Sequence, residues 1–93
     1  MNITLHTFAN IRDVIGSTSV CLPLEDGSTL SGLFRKLSST YPRFDRQVRD
    51  QITGEIVPFL ILVNGRSYRS TADMQTPLRD ADEVTILVPF DGG

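Results

Sequence analysis

Hydrophobic and polar residues alternate in two short stretches near the start of the chain, which predicts two β-strands. In residues 2–8, Ile3 and Leu5 alternate with polar neighbours, and residues 19–24 repeat the pattern. The connection between them is long for a hairpin loop and has room for a short helix that ends at Gly16. We expect the two strands to be antiparallel neighbours. The apolar residues of these elements are Ile3, Leu5, Ile11, Val14, Ile15, Val20, Leu22 and Leu24.

An amphipathic helix is predicted next, after the Asp26-Gly27 turn. Ser28 or Thr29 can cap its N-terminus, and Pro42 closes it, because proline disrupts a helix interior. Apolar residues recur at spacings of three, four and seven, which gather them on one face of a helix. The residues on this face are Leu30, Leu33, Phe34 and Leu37. Such a helix must pack that face on a sheet.

A continuous apolar run at residues 58–63 predicts a buried central strand. Asn64-Gly65 follows it directly, and this dipeptide suits a tight hairpin turn that needs positive φ angles. Residues 66–69 then form a short edge strand. The structure of residues 43–56 stays open, because their pattern favours neither helix nor strand.

Residues 84–89 predict a last strand, with Val84 and Ile86 on one face and Leu87 on the other. The order strand, strand, helix, strand, short strand, strand suits a small mixed sheet of four or five strands curled round one helix. In that arrangement the first and last strands lie side by side. The predicted fold is therefore α+β, of the β-grasp or ubiquitin-like kind. We expect one domain at residues 1–89 and a flexible tail at residues 90–93.

The composition excludes several classes of function. The 93 residues carry a net charge of −2, which argues against nonspecific nucleic-acid binding. The local cluster of Arg43, Arg46 and Arg49 is diluted by acidic neighbours and is expected to be a solvated surface. The chain lacks the features of a signal peptide and has no apolar run approaching the roughly 20 residues that span a bilayer. We therefore expect a cytoplasmic protein with no membrane role.

Few residues offer metal or catalytic chemistry. One histidine, His6, and one cysteine, Cys21, fall on different predicted strands, on the sheet face away from the helix, so neither a metal site nor a Ser/His/Asp site is expected. No glycine-rich phosphate loop is present, and no bound cofactor is expected. The acidic cluster of Asp80, Asp82 and Glu83 is expected to be a solvated turn rather than an acid/base pair.

The two glycines at the end of the sequence, Gly92 and Gly93, form its most distinctive chemical feature. Because glycine lacks Cβ, an extended tail ending in two glycines is thin enough to enter a narrow channel of a partner. A terminal carboxylate becomes an acyl donor once a partner that binds ATP adenylates it. The alternative is a frayed terminus that happens to be glycine.

Three stretches carry a resemblance to a known family: TFANIRDVIG at residues 7–16, LVNGR at residues 62–66 and PLRDADEVTILVPFDGG at residues 77–93. Together, and in this order, they resemble the MoaD-like, ubiquitin-related sulfur carriers. That family includes the molybdopterin synthase small subunit and the small archaeal modifier proteins. The similarity covers nearly the whole chain.

The resemblance implies a β-grasp fold and a reactive C-terminal glycine, here Gly93, with Gly92, Asp91 and Phe90 in the threading tail. A MoeB-like adenylating enzyme would activate Gly93 with ATP, after which it would be converted to a thiocarboxylate. The receiving partner would be a MoaE-like large subunit of molybdopterin synthase. In the modifier relatives, lysines of target proteins take that place.

The resemblance also implies an apolar partner interface on the sheet face away from the helix. The matching positions are Phe8 and Leu87, with Tyr68 as a further candidate, although a core position for Phe8 is an equal alternative. Two departures from the family pattern stand out. Ala81 replaces a turn glycine, and Phe90-Asp91 replaces the small residues that usually precede the glycines.

Three functional hypotheses follow. The first is a noncatalytic sulfur carrier for molybdenum cofactor biosynthesis. The second is a ubiquitin-like protein modifier joined to lysines, and the third is a β-grasp interaction module with an inert tail. If the second holds, Lys36 is a possible acceptor for a further copy, because it is the only lysine in the sequence.

Overall fold

A computed structural model describes residues 1–7, 9–50 and 52–88, without the side chains of residues 9 and 10. The alternating stretches form strands, and the segments with helical spacing form helices. The first half contains β1 (Asn2–His6), α1 (Ala9–Ile15), β2 (Ser19–Pro23) and α2 (Leu30–Thr40). The second half contains α3 (Pro42–Gln47), β3 (Leu60–Val63), β4 (Arg66–Arg69) and β5 (Glu83–Leu87).

The five strands form one mixed sheet in the order β2-β1-β5-β3-β4. β1 pairs antiparallel with β2 and parallel with β5, so the first and last strands are neighbours, as predicted. β3 pairs antiparallel with both β4 and β5. This sheet with its helices is the predicted ubiquitin-like β-grasp fold.

α2 packs its apolar face on the inner face of the sheet. Its N-cap is Thr29, whose side-chain oxygen accepts a hydrogen bond from the Gly32 amide at 3.3 Å. The four apolar residues predicted for this face are all buried. Inner-face residues of the strands complete the core, and the most deeply buried of them are Ile3, Leu5, Ile61, Val84 and Ile86.

The segment whose structure stayed open contributes a third helix to the core. Pro42 stands at the start of α3, where proline is tolerated because the first helical amides have no intrahelical partner. Phe44 in α3 is fully buried, and its ring meets that of Phe34 edge to face at 5.3 Å. Phe34 also stacks on Phe59 at 5.6 Å. The aromatic contacts therefore join both helices to the segment that enters β3.

The acidic cluster is a structural element, and the prediction of a solvated turn was wrong for Asp82. Its side chain is buried and accepts hydrogen bonds from the Asn64 side-chain amide and the Arg79 backbone amide, both at 2.8 Å. Asn64 also accepts one from the Glu83 amide at 3.0 Å. The β3–β4 turn and the loop before β5 are thereby held together.

Ala81 adopts a left-handed backbone conformation, with φ 69°. Glycine adopts this region freely, whereas a Cβ makes it strained. The Ala81 amide nonetheless donates to the Asn2 carbonyl at 2.8 Å, which fixes this turn against β1. The glycine-to-alanine departure therefore leaves the turn in place at a cost in backbone strain.

Candidate functional site

The chain leaves the sheet at the end of β5, where Leu87 and Val88 are the last described residues. Leu87 lies on the outer face of the sheet, away from α2, and its neighbour Ile86 is buried in the core. This confirms the predicted placement of Leu87. The predicted reactive residue Gly93 and the tail residues Gly92, Asp91 and Phe90 lie outside the described residues.

An apolar patch surrounds this exit point on the outer face. Leu60 of β3 pairs with Leu87 of β5, and both are exposed, at 46% and 37%. Leu62 is half-buried on the same face of β3, because side chains alternate along a strand. We call Leu60, Leu62 and Leu87 the leucine patch.

The leucine patch arises because β3 is apolar on both faces. Ile61 and Val63 of this strand pack inward, whereas a solvated outer face would carry polar residues at positions 60 and 62. Sequence reasoning identified Leu87 but missed Leu60 and Leu62, since a continuous apolar run reads as a strand buried on both sides. The signal that identifies them is their register with Leu87 and Thr85 of β5.

A shallow pocket of about 440 Å³ lies beside the patch and extends to Val88, the last described residue. Its charged lining residue is Arg69, which pairs with Leu60 across β3 and β4. A cation at the edge of an apolar surface suits a partner with a complementary acidic group. The other lining residues are Pro58, Phe59, Leu60, Thr71, Leu87 and Val88.

Tyr68 does not join the leucine patch, so its predicted place on the outer face was wrong. It pairs with the buried Ile61, and paired residues of antiparallel strands share a face. Its ring is half-buried against the core, with the Arg66 guanidinium 5.9 Å from the ring centroid. Phe8, the other predicted interface residue, lies outside the described residues.

His6 and Cys21 lie on the outer face, as predicted, but do not meet. Cys21 pairs with Thr4, whereas His6 pairs with Ser19. The His6 Nε2 atom contacts the Glu83 carboxylate at 2.8 Å, and both side chains are partly exposed. Within residues 1–7, 9–50 and 52–88, no group of His, Cys, Asp and Glu side chains could hold a metal ion.

The arginine cluster is an exposed surface around α3, as predicted, and its charge is partly neutralised. Arg49 Nε donates to the Asp45 carboxylate at 2.8 Å, and this bond holds the pKa of Asp45 below and that of Arg49 above the ordinary values. Among the described residues, no helix has the length and apolar character to cross a bilayer.

After α3, Ile52 is 94% exposed, more than any other large hydrophobic side chain among the described residues. The Asp50 carboxylate accepts hydrogen bonds from the backbone amides of Thr53 and Ile52, which lowers the pKa of Asp50. The turn at Ile52 and Thr53 lies between α3 and the loop that leads to β3. Asp50, Ile52 and Thr53 do not line the pocket beside the leucine patch.

Comparison with known proteins places this geometry among small ubiquitin-like proteins. Residues 5–93 of the chain match the sequence pattern of the ThiS family. Small archaeal modifier protein 3 of Haloferax volcanii is 33% identical over 95 residues, and the similarity covers 100% of both chains.

Solved structures agree. SAMP1 of Methanosarcina acetivorans is 28% identical with a TM-score of 0.75, covering 99% of this chain and 96% of its own. Urm1 of Trypanosoma brucei is 25% identical with a TM-score of 0.73, covering 99% of this chain and 95% of its own.

Proposed function

The chain belongs to the ThiS family, and on that premise we propose that it is a protein modifier joined through the carboxyl group of Gly93 to lysines of target proteins. The observation that carries this proposal is the similarity to Small archaeal modifier protein 3 along the full length of both chains. The protein is a substrate of partner enzymes and not itself an enzyme, like the modifiers and carriers it resembles.

The proposed chemistry requires Gly93 to be the last residue and takes place in two steps. A Gly93 carboxylate oxygen attacks the α-phosphorus of ATP in an adenylating partner, which forms an acyl-adenylate and releases pyrophosphate. A lysine Nζ then attacks the Gly93 carbonyl, AMP leaves, an amide bond forms and a proton goes to solvent. Because Gly92 and Gly93 lack Cβ, a partner's active site can close round their backbone.

The leucine patch is the proposed docking surface for the adenylating partner. The patch lies beside Val88, and the five residues from 89 to 93 span at most about 17 Å when fully extended. A partner that binds the patch therefore lies within reach of Gly93. A partner seated on Leu87 and Leu60 would therefore need its nucleotide site within that distance. Arg69, at the edge of the patch, would meet an acidic group on the partner.

A second candidate function is a sulfur carrier, and the match to the ThiS family favours it. Activation is the same, but hydrogen sulfide, as HS⁻, attacks the acyl-adenylate, so AMP leaves, a proton goes to solvent and Gly93 becomes a thiocarboxylate. The receiving partner would then be an enzyme such as a molybdopterin synthase large subunit. The two functions differ only in the nucleophile that takes the acyl group.

Mass spectrometry of the chain recovered from its native cell tests the proposal. Trypsin is unsuitable, because the last lysine or arginine before the glycines is Arg79 and a long remnant would stay on each target. A protease that cleaves after acidic residues cuts after Asp91 and leaves only Gly92-Gly93 on the modified lysine. Diglycine-modified lysines on other proteins, absent when Gly93 is deleted, are the expected result.

Two other results would decide between the alternatives. Chains in which one C-terminal oxygen is replaced by sulfur, without conjugates, would favour the sulfur carrier. An unaltered mass with no conjugates would contradict both functions and leave an interaction module with an inert tail.

A further inference from the structure

With Met1 as the first residue, two amines could accept an acyl group, the Nζ of Lys36 and the α-amine of Met1. Lys36 is the only lysine among the 93 residues. If a modifier of this kind is itself modified by a second copy, the new amide must form at one of these two nitrogens. The two nitrogens have different environments in the structure.

The α-amine of Met1 is held by the fold. It donates to the Leu24 carbonyl at 2.8 Å and lies 3.2 Å from the Asp26 carboxylate. The Leu24 amide donates to the Met1 carbonyl at 2.8 Å, and the Met1 side chain is only 3% exposed. An attacking amine needs a free lone pair, so Met1 would have to break these contacts and leave its place beside β2.

Lys36 lies in the middle of α2 with no such contacts. Its Nζ has no hydrogen-bond or ion-pair partner among residues 1–7, 9–50 and 52–88. Residue 36 is half-buried, and lysine stems commonly lie along a protein surface while the amine reaches water.

α2 also fixes the position of this amine. The helix is anchored by four buried apolar side chains and by the Thr29 cap, so Lys36 is presented on a rigid element rather than on a loop. By helical spacing Lys36 lies about 160° round the helix from Ser38 and about 100° from Arg35, and it does not line the groove beside α3 to which these two residues belong. A second molecule that reaches Lys36 therefore meets a different part of α2 from this groove.

We propose that Lys36 is the acceptor through which a second copy of this chain is attached, and that the α-amine of Met1 is not. The inference rests on the proposed modifier function. In the step, the neutral Lys36 Nζ attacks the activated Gly93 carbonyl of the second copy. AMP leaves, the amide forms and the proton passes to solvent. Every linkage between copies is therefore of one kind.

Competitive acetylation of the purified full-length chain tests the availability of the two amines without any partner enzyme. A limiting amount of an N-hydroxysuccinimide ester of acetic acid is added near neutral pH, and Met1 and Lys36 are read on separate peptides. In unfolded chains the α-amine is the more reactive, because α-amines hold their protons less tightly than lysines. In the folded chain we expect Lys36 to react about tenfold faster than Met1, and urea to reverse the order. Equal reaction of Met1 in the folded chain would overturn the proposal.

A second experiment compares the wild-type chain with Lys36→Arg in the native cell. The chains carry no tag, since an N-terminal tag would replace the Met1 amine, and are detected by antibody. Lys36→Arg keeps the positive charge and the helix propensity. We expect it to retain single attachments to other proteins and to lose the diglycine remnant on position 36 together with linked copies. Two results would overturn the inference but not the modifier function. One is that Lys36→Arg still forms linked copies, joined at the Met1 amine. The other is that the wild type forms conjugates but carries no diglycine remnant on Lys36. Absence of every conjugate would overturn both.

Discussion

Leu60 and Leu87 face each other across β3 and β5 on the outer face of the sheet, and both are exposed beside Val88, the last described residue. Their neighbours Ile61 and Ile86 form the corresponding pair on the inner face and are almost fully buried. Two adjacent residue pairs with the same apolar chemistry therefore have opposite environments. An apolar pair left in water beside the tail is best explained by a partner that covers it.

Leu87→Ser tests this role of the leucine patch. We expect the KM of the adenylating enzyme for the chain to rise by about tenfold or more with little change in kcat, because the patch contributes to docking and not to the reacting atoms. Pyrophosphate exchange at varied chain concentration measures both constants. The free energy of unfolding should fall by less than about 1 kcal/mol, since Leu87 is partly exposed already.

Two control variants accompany Leu87→Ser. Ile52→Ser removes another exposed aliphatic side chain, outside the leucine patch, and should leave KM unchanged. Ile86→Ala changes the neighbouring residue on the inner face and should cost about 2–5 kcal/mol of stability. An unchanged KM in Leu87→Ser would show that partners do not use this patch.

Most of the fold could be predicted from the sequence, because several elements carry their own periodicity or turn signal. Alternation identified β1 and β2, helical spacing identified α2, and Asn64-Gly65 identified the turn between β3 and β4. α3 was not predicted, because it is short and only Phe44 of its residues is buried. Its stability comes from packing against Phe34, which local sequence does not reveal.

The candidate site was predictable only in part. Leu87 was identified because alternation holds in β5, whereas Leu60 and Leu62 were hidden in the continuous apolar run of β3. Tyr68 was assigned to the wrong face, because the face of a short edge strand depends on its register with β3 rather than on its own pattern. The role of Gly93 stays a prediction.

Asp82→Ala should destabilise the fold by about 1–3 kcal/mol, because it leaves the Asn64 side chain and the Arg79 amide without their buried acceptor. Urea denaturation measures the change. Asp80→Ala is the matched control and should cost less, because its hydrogen bond to the Asn2 amide is exposed. Equal losses in the two variants would show that burial of Asp82 contributes no stability.

Ala81→Gly should be neutral or stabilising, by up to about 1 kcal/mol. The left-handed conformation costs an alanine about 1–2 kcal/mol, and the gain is offset in part by the greater backbone entropy of glycine in the unfolded chain. Thermal unfolding of the two chains at one pH measures the difference. Ala72→Gly, where φ is not positive, should be destabilising instead, and a loss of stability in Ala81→Gly would contradict strain at this turn.

The turn after α3 should lose stability in acid, and Asp50 should be one cause. Backbone amides of Thr53 and Ile52 donate to its carboxylate and hold the pKa of Asp50 below its ordinary value of 3.8 in the folded chain. Because the folded chain binds this proton less readily than the unfolded chain, the stabilisation is complete above the unfolded value. It is lost as the pH falls through the lower folded value. Asp50→Asn should therefore flatten the fall in melting temperature below about pH 4. The same slope in the variant and the wild type would show that these hydrogen bonds are not maintained in solution.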